Sequence, residues 1–198
     1  MKKIAITGNI ASGKSQVEKE LISLGYKVID TDKINHEILK NDEKTIQEIK
    51  NSFNDCDILD EKVNLSREKI GKIVFSDPIK KEILEKILHK KIYEKLDEFY
   101  KQNINEQFVF VAIPLLFEAK QEKNFDKIIF ISTEEEIRLK RLLERNNYSL
   151  EYAKKRISSQ EKEDIKIEKS DFVIYNNSDL TNLENQINKV LHQLILSC

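Results

Sequence analysis

Five short apolar runs divide the chain and predict the strands of one buried sheet. They are rich in Ile, Val and Phe and show no strict alternation of apolar and polar residues, as expected for strands covered on both faces. The runs are Lys3 to Thr7, Lys27 to Asp30, Phe108 to Ile113, Lys127 to Ile131 and Phe172 to Tyr175. Only four glycines and two prolines occur in 198 residues, so we expect regular elements to dominate the rest of the chain.

Between and after these runs, apolar residues recur at the spacing of an amphipathic helix. One pattern covers Gly13 to Leu24 and another covers Leu180 to Leu194. A long pattern opens at Asp77, a predicted N-cap, with Pro78 in the first helical turn. Because strands and helices alternate, the sequence predicts a parallel sheet with right-handed crossovers, and hence a three-layer α/β sandwich.

The second and third predicted strands are separated by a long interval. It runs from the end of the strand at Asp30 to the start of the next at Phe108, and it is almost wholly helical in pattern. Such an interval is too long for a simple crossover. We therefore expect a helical insert at residues 33–106 within a single domain of residues 1–198.

The segment after the first predicted strand carries the clearest chemical motif. Residues 8–15 read G-N-I-A-S-G-K-S and match G-x-x-x-x-G-K-[ST], a phosphate-binding P-loop. The glycines let backbone N–H groups approach phosphates, and the start of the following helix adds its dipole. Lys14 can reach the β- and γ-phosphates, and the Ser15 hydroxyl can ligate Mg²⁺. The candidate ATP-binding residues are Gly8, Ala11, Ser12, Gly13, Lys14, Ser15 and Gln16.

The context of this motif favours a kinase. A chance glycine turn is the simplest alternative, but the motif follows an apolar strand and opens an amphipathic helix, as its mechanism requires. A GTPase would carry D-x-x-G and N-K-x-D, and neither occurs. An ATPase motor usually ends a core strand in an acid, whereas Phe108 to Ile113 runs into Pro114. The absence of that acid fits an enzyme that must keep water from competing with its substrate.

Two carboxylates, Asp30 and Asp32, end the second predicted strand. The carboxyl ends of parallel strands border the ligand crevice of an α/β sheet, so one of them could accept the proton of an attacking hydroxyl. The structural alternative is that Asp30 ends the strand and Asp32 caps a helix beginning at Lys33. With a P-loop in the same chain, we favour Asp32 as the catalytic acid.

Three arginines, Arg138, Arg141 and Arg145, share one face of a predicted helix. Such a stripe can be a solvated surface with acidic partners such as Glu134. It can also belong to a lid, at residues 138–168, whose guanidinium groups stabilise the charge on the transferred phosphoryl group. The pattern alone leaves both interpretations open.

The composition limits the partners. Lys and Arg total 34 against 35 Asp and Glu, so the chain lacks the basic excess typical of nucleic-acid-binding proteins. No stretch approaches the length of a membrane span. Cys56 and the terminal Cys198 do not suggest a disulfide, and the histidines show no zinc-site spacing. We expect a cytoplasmic protein, a monomer or weak homo-oligomer, that acts on small molecules without nucleic acid or membrane partners.

Several further motifs resemble dephospho-coenzyme A kinases over nearly the whole chain. Residues 7–16, T-G-N-I-A-S-G-K-S-Q, are similar to the family's T-G-G-I-G-S-G-K-S-T, and residues 25–32, G-Y-K-V-I-D-T-D, are similar to G-x-x-V-I-D-A-D. The family's P-L-L-F-E is intact at residues 114–118. Its R-x-x-L-x-x-x-V-F, L-H, R-x-x-x-R, S-Q and N-N blocks are echoed, in order, at residues 67–75, 88–89, 141–145, 159–160 and 176–177.

The resemblance implies a P-loop kinase fold and phosphorylation of the ribose 3′-hydroxyl of dephospho-coenzyme A by Mg-ATP, the last step of coenzyme A biosynthesis. It implies Asp32 as the catalytic acid, Lys14 and Ser15 as phosphate and metal residues, and Arg141 and Arg145 as lid arginines. The helical insert would bind the coenzyme A side. The candidate substrate-binding residues are Asp32, Arg67, His89, Leu115 and Glu118.

His89 and Glu118 also have structural explanations, a partly buried ring and a charge at a helix end. Asn9 and Ala11 replace two glycines of the family's P-loop, which makes the loop less permissive. Ala112 stands where many relatives have an acid linked to the metal. The alternatives are another P-loop kinase, for a nucleoside monophosphate or a sugar acid, and an inactive nucleotide-binding module.

Overall fold

The computed structural model describes residues 1–146 and 148–197 and divides into two compact units. The first unit comprises Met1–Asp30 and Asn103–Cys198, and the second comprises Thr31–Gln102. Cys198 itself lies outside the described residues, and Cys56 is a free thiol.

The first unit contains a five-stranded sheet in which all pairings are parallel. Its strands are β1 (Lys2–Gly8), β2 (Lys27–Asp30), β3 (Phe108–Ala112), β4 (Lys127–Ser132) and β5 (Phe172–Tyr175). Each predicted strand is confirmed to within one residue at either end. The order β2-β3-β1-β4-β5 places β1 at the centre, so the segment after Gly8 emerges at the switch point where α/β folds bind ligands.

Helices follow the strands as the apolar spacing predicts. They are α1 (Lys14–Ser23), α2 (Thr31–Asn41), α3 (Glu43–Ser52), α4 (Arg67–Ser76), α5 (Pro78–Gln102), α6 (Glu135–Asn146), α7 (Leu150–Ser158), α8 (Glu163–Glu168) and α9 (Leu180–Leu196). The structure confirms the α/β class with a parallel sheet. Within the described ranges, no helix has both the length and the apolar character of a membrane span.

The core of the first unit joins one face of the sheet to α1 and α9. Strand residues such as Ile6, Phe110 and Ile131 are buried there against Val17 of α1 and Ile187 of α9. Burial of a side chain of this size contributes about 1.5–3 kcal/mol. The sheet and the helix that follows β1 are therefore firmly packed on each other, which fixes the ends of the P-loop.

The second unit is built on α5, a helix of 25 residues that packs against α2, α3 and α4. Asp77 precedes this helix, and its Oδ1 accepts hydrogen bonds from the backbone N–H groups of Ile79 and Lys80 at 2.9 and 3.0 Å. The predicted cap is confirmed. Pro78 occupies the first helical position, where a missing N–H costs nothing.

Asp42 caps α3 and also contacts α5. Its Oδ1 accepts a hydrogen bond from the Thr45 N–H at 2.9 Å, and its Oδ2 lies 3.1 Å from the ammonium of Lys91. The Thr45 N–H holds the pKa of Asp42 below its ordinary value, and Lys91 acts in the same direction. Because the folded-state pKa is lowered, this stabilisation is present above a pH of about 4 and is lost as the pH falls through the folded pKa.

Replacing Asp42 with alanine is therefore expected to lower the free energy of unfolding by about 1 kcal/mol at pH 7, as loss of an N-cap does. Urea unfolding at pH 7 and at pH 3 measures the effect, which should shrink at the lower pH. Asp42→Asn retains a capping oxygen and serves as the matched control, with a smaller loss at pH 7. A loss of equal size at both pH values would contradict the assignment.

Candidate active site

The P-loop lies between the end of β1 at Gly8 and the start of α1 at Lys14. Its first part is a turn in which the Ser12 N–H donates to the Asn9 carbonyl at 3.0 Å. Ala11, at the third position of this turn, has a φ of 61°. That left-handed conformation costs a residue with a side chain about 1–2 kcal/mol relative to the right-handed region. The loop thus keeps a glycine-like shape at a position where this chain has alanine.

Both glycines of the motif are required because neighbouring atoms leave no room for a side chain at either position. Gly13, the N-cap of α1, has a φ of 93°, and a Cβ built there would lie 2.1 Å from Nδ2 of Asn176. A Cβ at Gly8 would lie 2.5 Å from Oγ of Ser12 and 2.8 Å from the carbonyl oxygen of Ile131. No side chain fits at either place without displacing its neighbours.

The carboxyl ends of β4 and β5 hold the middle of the loop. The Ser12 carbonyl accepts hydrogen bonds from Nδ2 of Asn176 at 2.8 Å and from Oγ1 of Thr133 at 2.9 Å. Both donors are buried. Thr133 and Asn176 therefore fix the loop in place, and only the N-N block at residues 176–177 pointed weakly to this contact before the structure.

Lys14 projects between two acidic side chains of the first unit. Its Nζ lies 2.9 Å from Oε1 of Glu18 and 3.8 Å from Oδ2 of Asp30, and both carboxylates are almost fully buried. Asp30 is paired in register with Ala112 of β3. The Asp30 carboxylate therefore lies next to Ala112, the position at which many relatives have an acid. Asp30 ends its strand and also lies near the P-loop lysine.

Ser15 lies in the first turn of α1 and is exposed to solvent. A magnesium ion that accompanies a nucleotide takes one or two oxygen ligands from the protein and the rest from phosphates and water. Among residues 1–146 and 148–197, no cluster of three His, Cys, Asp or Glu side chains could hold a metal by itself. The exposed Ser15 hydroxyl is therefore suited to a Mg²⁺ ion that receives its other ligands from a nucleotide and from water.

Arg138 is buried, so the solvated-surface interpretation of the arginine stripe is wrong at this position. Its Nε donates to the Thr133 carbonyl at 2.9 Å, and its Nη2 lies 3.6 Å from Glu163. The expected side-chain partner, Glu134, instead accepts a hydrogen bond from Nδ2 of Asn177 at 3.0 Å. Arg138 supports the end of β4.

Arg141, one turn further along α6, reaches the P-loop. Its Nη1 donates to the Ala11 carbonyl at 3.4 Å and its Nη2 to the Asn176 carbonyl at 3.2 Å. The guanidinium is only partly buried and so remains accessible from solvent. Arg145 lies on the next turn and is exposed. The structure thus brings Arg141 next to the P-loop, and its contact with phosphate stays a prediction.

The segment after α7 contacts the P-loop from its other side. Gln160 accepts a hydrogen bond from the Ile10 N–H at 2.7 Å. The side-chain amide of Asn9 donates to Glu163 at 3.0 Å and accepts from Lys166 at 2.8 Å. Sequence reasoning missed these contacts because about 150 residues separate the partners.

The P-L-L-F-E segment forms turns after β3. Leu115 is exposed, whereas Leu116 and Phe117 are buried. Glu118 accepts a hydrogen bond from Lys166 at 2.6 Å, so the explanation of Glu118 as a charge at a helix end is wrong. Glu118 belongs to a polar cluster that reaches the P-loop.

Asp32 lies in the first turn of α2, in the second unit. The helix begins at Thr31, two residues earlier than expected, so the interpretation of Asp32 as the cap of a helix starting at Lys33 is wrong. Asp32 lines an open pocket of about 510 Å³. The other lining residues are Lys33, His36, Glu37 and Arg67.

Arg67 and His89, two of the predicted substrate-binding residues, lie in different parts of the second unit. Arg67 lies in the pocket, where its Nη1 is 3.0 Å from Nδ1 of His36. His89 does not line the pocket, as far as the described residues show. Its ring is exposed and packs edge-on against Tyr93, with centroids 6.4 Å apart, so the partly buried ring expected as its structural explanation is wrong.

The family model described as dephospho-CoA kinase matches residues 2–182 of this chain. The chain belongs to the dephospho-CoA kinase family. A dephospho-CoA kinase of Staphylococcus epidermidis is 35% identical over 97% of this chain and 95% of its own length. One from Staphylococcus aureus strain Mu50 is 37% identical over 97% of this chain and 93% of its own length. The resemblance stated from the motifs is confirmed.

Solved structures agree with this assignment. A dephospho-CoA kinase from Campylobacter jejuni aligns with a TM-score of 0.70 and 35% identity, covering 97% of this chain and 96% of its own. A shikimate kinase from Acinetobacter baumannii aligns with a TM-score of 0.53 at 16% identity, covering 100% of this chain and 94% of its own. The second match shows the shared kinase fold alone.

Proposed function

We propose that the protein transfers the γ-phosphoryl group of ATP to the ribose 3′-hydroxyl of dephospho-coenzyme A, giving coenzyme A and ADP. The observation that carries this proposal is the family match over residues 2–182. The P-loop motif that contains Lys14, with Arg141 next to it, supports the proposal. This reaction is the last step of coenzyme A biosynthesis.

The first unit binds the nucleotide in this proposal. Lys14 contacts the β- and γ-phosphates, and the first amides of α1 receive phosphate oxygens at the positive end of the helix. Mg²⁺, held by the Ser15 hydroxyl and by phosphates, would neutralise part of the charge on the transferred group. Arg141 adds a guanidinium from the side of Ala11, and Arg145 joins it if the segment at residues 138–168 acts as a lid.

The second unit receives the acceptor. Asp32 orients the 3′-hydroxyl and accepts its proton as the bond to phosphorus forms. The pocket around Asp32 combines two carboxylates, of Asp32 and Glu37, with the cationic side chains of Lys33 and Arg67. Such a mixture suits an acceptor that carries an attacking hydroxyl together with phosphate groups, which is the chemistry of dephospho-coenzyme A.

Another P-loop kinase, for a nucleoside monophosphate or a sugar acid, would need a different acceptor pocket on the same fold. An inactive nucleotide-binding module would not need Asp32. The intact set of Lys14, Ser15, Arg141 and Asp32 supports catalysis. Cytoplasmic location, a monomeric or weakly associated state and the lack of nucleic-acid partners stay predictions.

The direct test is incubation of the purified protein with Mg-ATP and a panel of acceptors. The panel contains dephospho-coenzyme A, adenosine monophosphate, shikimate and gluconate, and ADP release is followed for each. We expect kcat/KM for dephospho-coenzyme A to exceed that for the others by at least about 10³, because the others leave polar groups of the site unpaired. Mass spectrometry should show that the product is heavier than dephospho-coenzyme A by one phosphoryl group. Equal turnover of shikimate or gluconate would rule out the proposal.

A further inference from the structure

Lys166 of α8 is a buried cation. Its side chain is bonded to one residue of the P-loop and to one residue of the turns that follow β3. Its side chain is 2% exposed, and its ammonium donates to Glu118 at 2.6 Å and to Oδ1 of Asn9 at 2.8 Å. Burial of an ammonium is strongly unfavourable unless its hydrogen bonds are made. The buried ammonium therefore needs the hydrogen bonds to Asn9 and Glu118. The same two bonds hold the side chains of Asn9 and Glu118 in position.

Asn9 is the residue at which this cluster meets the P-loop. Its side-chain nitrogen donates to Oε2 of Glu163 at 3.0 Å, while its side-chain oxygen accepts from Lys166. Glu163 in turn accepts from Oγ of Ser132 at 2.5 Å and lies 3.6 Å from Arg138. Both polar atoms of the Asn9 amide are thus satisfied by one helical turn of α8.

A glycine at position 9, as in the family's usual motif, could make neither of these contacts. Next to Asn9, the Ile10 N–H donates to Gln160. Two successive P-loop residues are therefore fixed by residues 160–166, one through its side chain and one through its backbone. A loop fixed in this way needs little reorganisation when charge develops on the phosphates.

We infer that Lys166 and Glu163 are positioning residues for phosphoryl transfer, which hold the P-loop in its reactive shape through Asn9. They act on the nucleotide through the loop and do not contact it themselves. This inference deepens the proposed function and rests on it for the transfer step, whereas its effect on nucleotide binding is independent of the acceptor.

The main test replaces Lys166 with methionine, which has a similar length and no charge. We expect kcat with dephospho-coenzyme A to fall by about 10- to 100-fold, as a small misplacement of reacting groups does. The Kd for Mg-ATP, measured by calorimetry, should rise several-fold, while the KM for dephospho-coenzyme A should stay within about twofold. Lys169→Met is the matched control, since Lys169 follows the same helix but is 44% exposed and pairs with Glu161 at the surface, and its kinetics should be unchanged.

A second variant, Asn9→Gly, removes the same contacts from the P-loop side without leaving an unpaired side chain there. It should reproduce the changes in kcat and Kd, and Asn9→Gly combined with Lys166→Met should be no worse than the more impaired single variant. Glu163→Gln can still accept from Asn9 and should retain more activity than Glu163→Ala. Independent effects that multiply in the double variant would overturn the coupling through Asn9.

The folded fraction of each variant is checked by thermal unfolding, because a cluster that only stabilises the fold would lower Tm without changing kcat or Kd at 25 °C. That result in Lys166→Met, or in Asn9→Gly if Lys166→Met does not fold, would overturn the inference. If the wild-type protein does not phosphorylate dephospho-coenzyme A, the proposed function fails. The nucleotide affinities of the variants would still decide the role of Lys166 and Glu163.

Discussion

Replacing Lys14 with alanine is expected to lower kcat/KM by at least about 10³, the largest effect of any single change in this chain. In the proposed function, the Lys14 ammonium contacts the β- and γ-phosphates. The loss of one such group from a site that stabilises developing charge typically lowers the rate by about 10²- to 10³-fold or more. Steady-state ADP release with saturating dephospho-coenzyme A measures the change. Turnover close to the wild-type rate would contradict the assigned role.

Lys14 also pairs with nearly buried carboxylates, so the alanine variant will lose stability as well. The substitution removes the Lys14 ammonium from beside the carboxylates of Glu18 and Asp30. The double variant Lys14→Ala with Glu18→Gln removes one of these charges and is expected to recover part of the lost Tm without recovering turnover. Lys19→Ala, at an exposed lysine of the same helix, is the control for loss of a positive charge and should leave turnover unchanged.

Replacing Asp32 with asparagine is expected to lower kcat by about 10² or more, the scale on which a lost acid–base group acts. The substitution keeps the size of the side chain and removes its ability to accept a proton. Because Asp32 belongs to the acceptor side in our proposal, the Kd for Mg-ATP should remain within about twofold of the wild-type value. Rapid-quench measurement of a single turnover separates the chemical step from product release.

Asp97→Asn is the matched control for Asp32→Asn. Asp97 is an exposed carboxylate in the same unit, where it pairs with Lys101 on the surface of α5, and surface pairs contribute little. We expect wild-type kinetics from it. If Asp32→Asn also turned over at the wild-type rate, proton transfer to Asp32 would have no part in the mechanism.

The sheet could be predicted from the sequence because its three central strands, β1, β3 and β4, are almost fully buried and therefore continuous in apolar residues. The run at Phe108 to Ile113 shows this, since β3 is fully buried from Phe108 to Ala112. The P-loop was predictable for a different reason. Its chemistry depends on residues that are adjacent in the chain, so spacing alone identifies Lys14 and Ser15.

Contacts between distant parts of the chain could not be predicted in the same way. The stripe of arginines gave no sign that Arg138 would be buried while Arg141 reaches the P-loop, because helical spacing fixes a shared face and not what that face packs on. The pairing of Asn9 with Lys166 depends on how α8 lies against the loop. The start of α2 at Thr31 was misjudged because an aspartate suits both a cap and a first turn.

The hydrogen bonds within the P-loop divide its amide groups into two sets. The N–H groups of Ile10 and Ser12 already donate to Gln160 and to the Asn9 carbonyl, which maintains the curvature of the loop. At the start of α1 the geometry of a helix leaves the first N–H groups without intrahelical acceptors. In the proposed function, a phosphate is therefore bound mainly at Lys14 and Ser15, so a ligand without a phosphate group there would gain little from the loop.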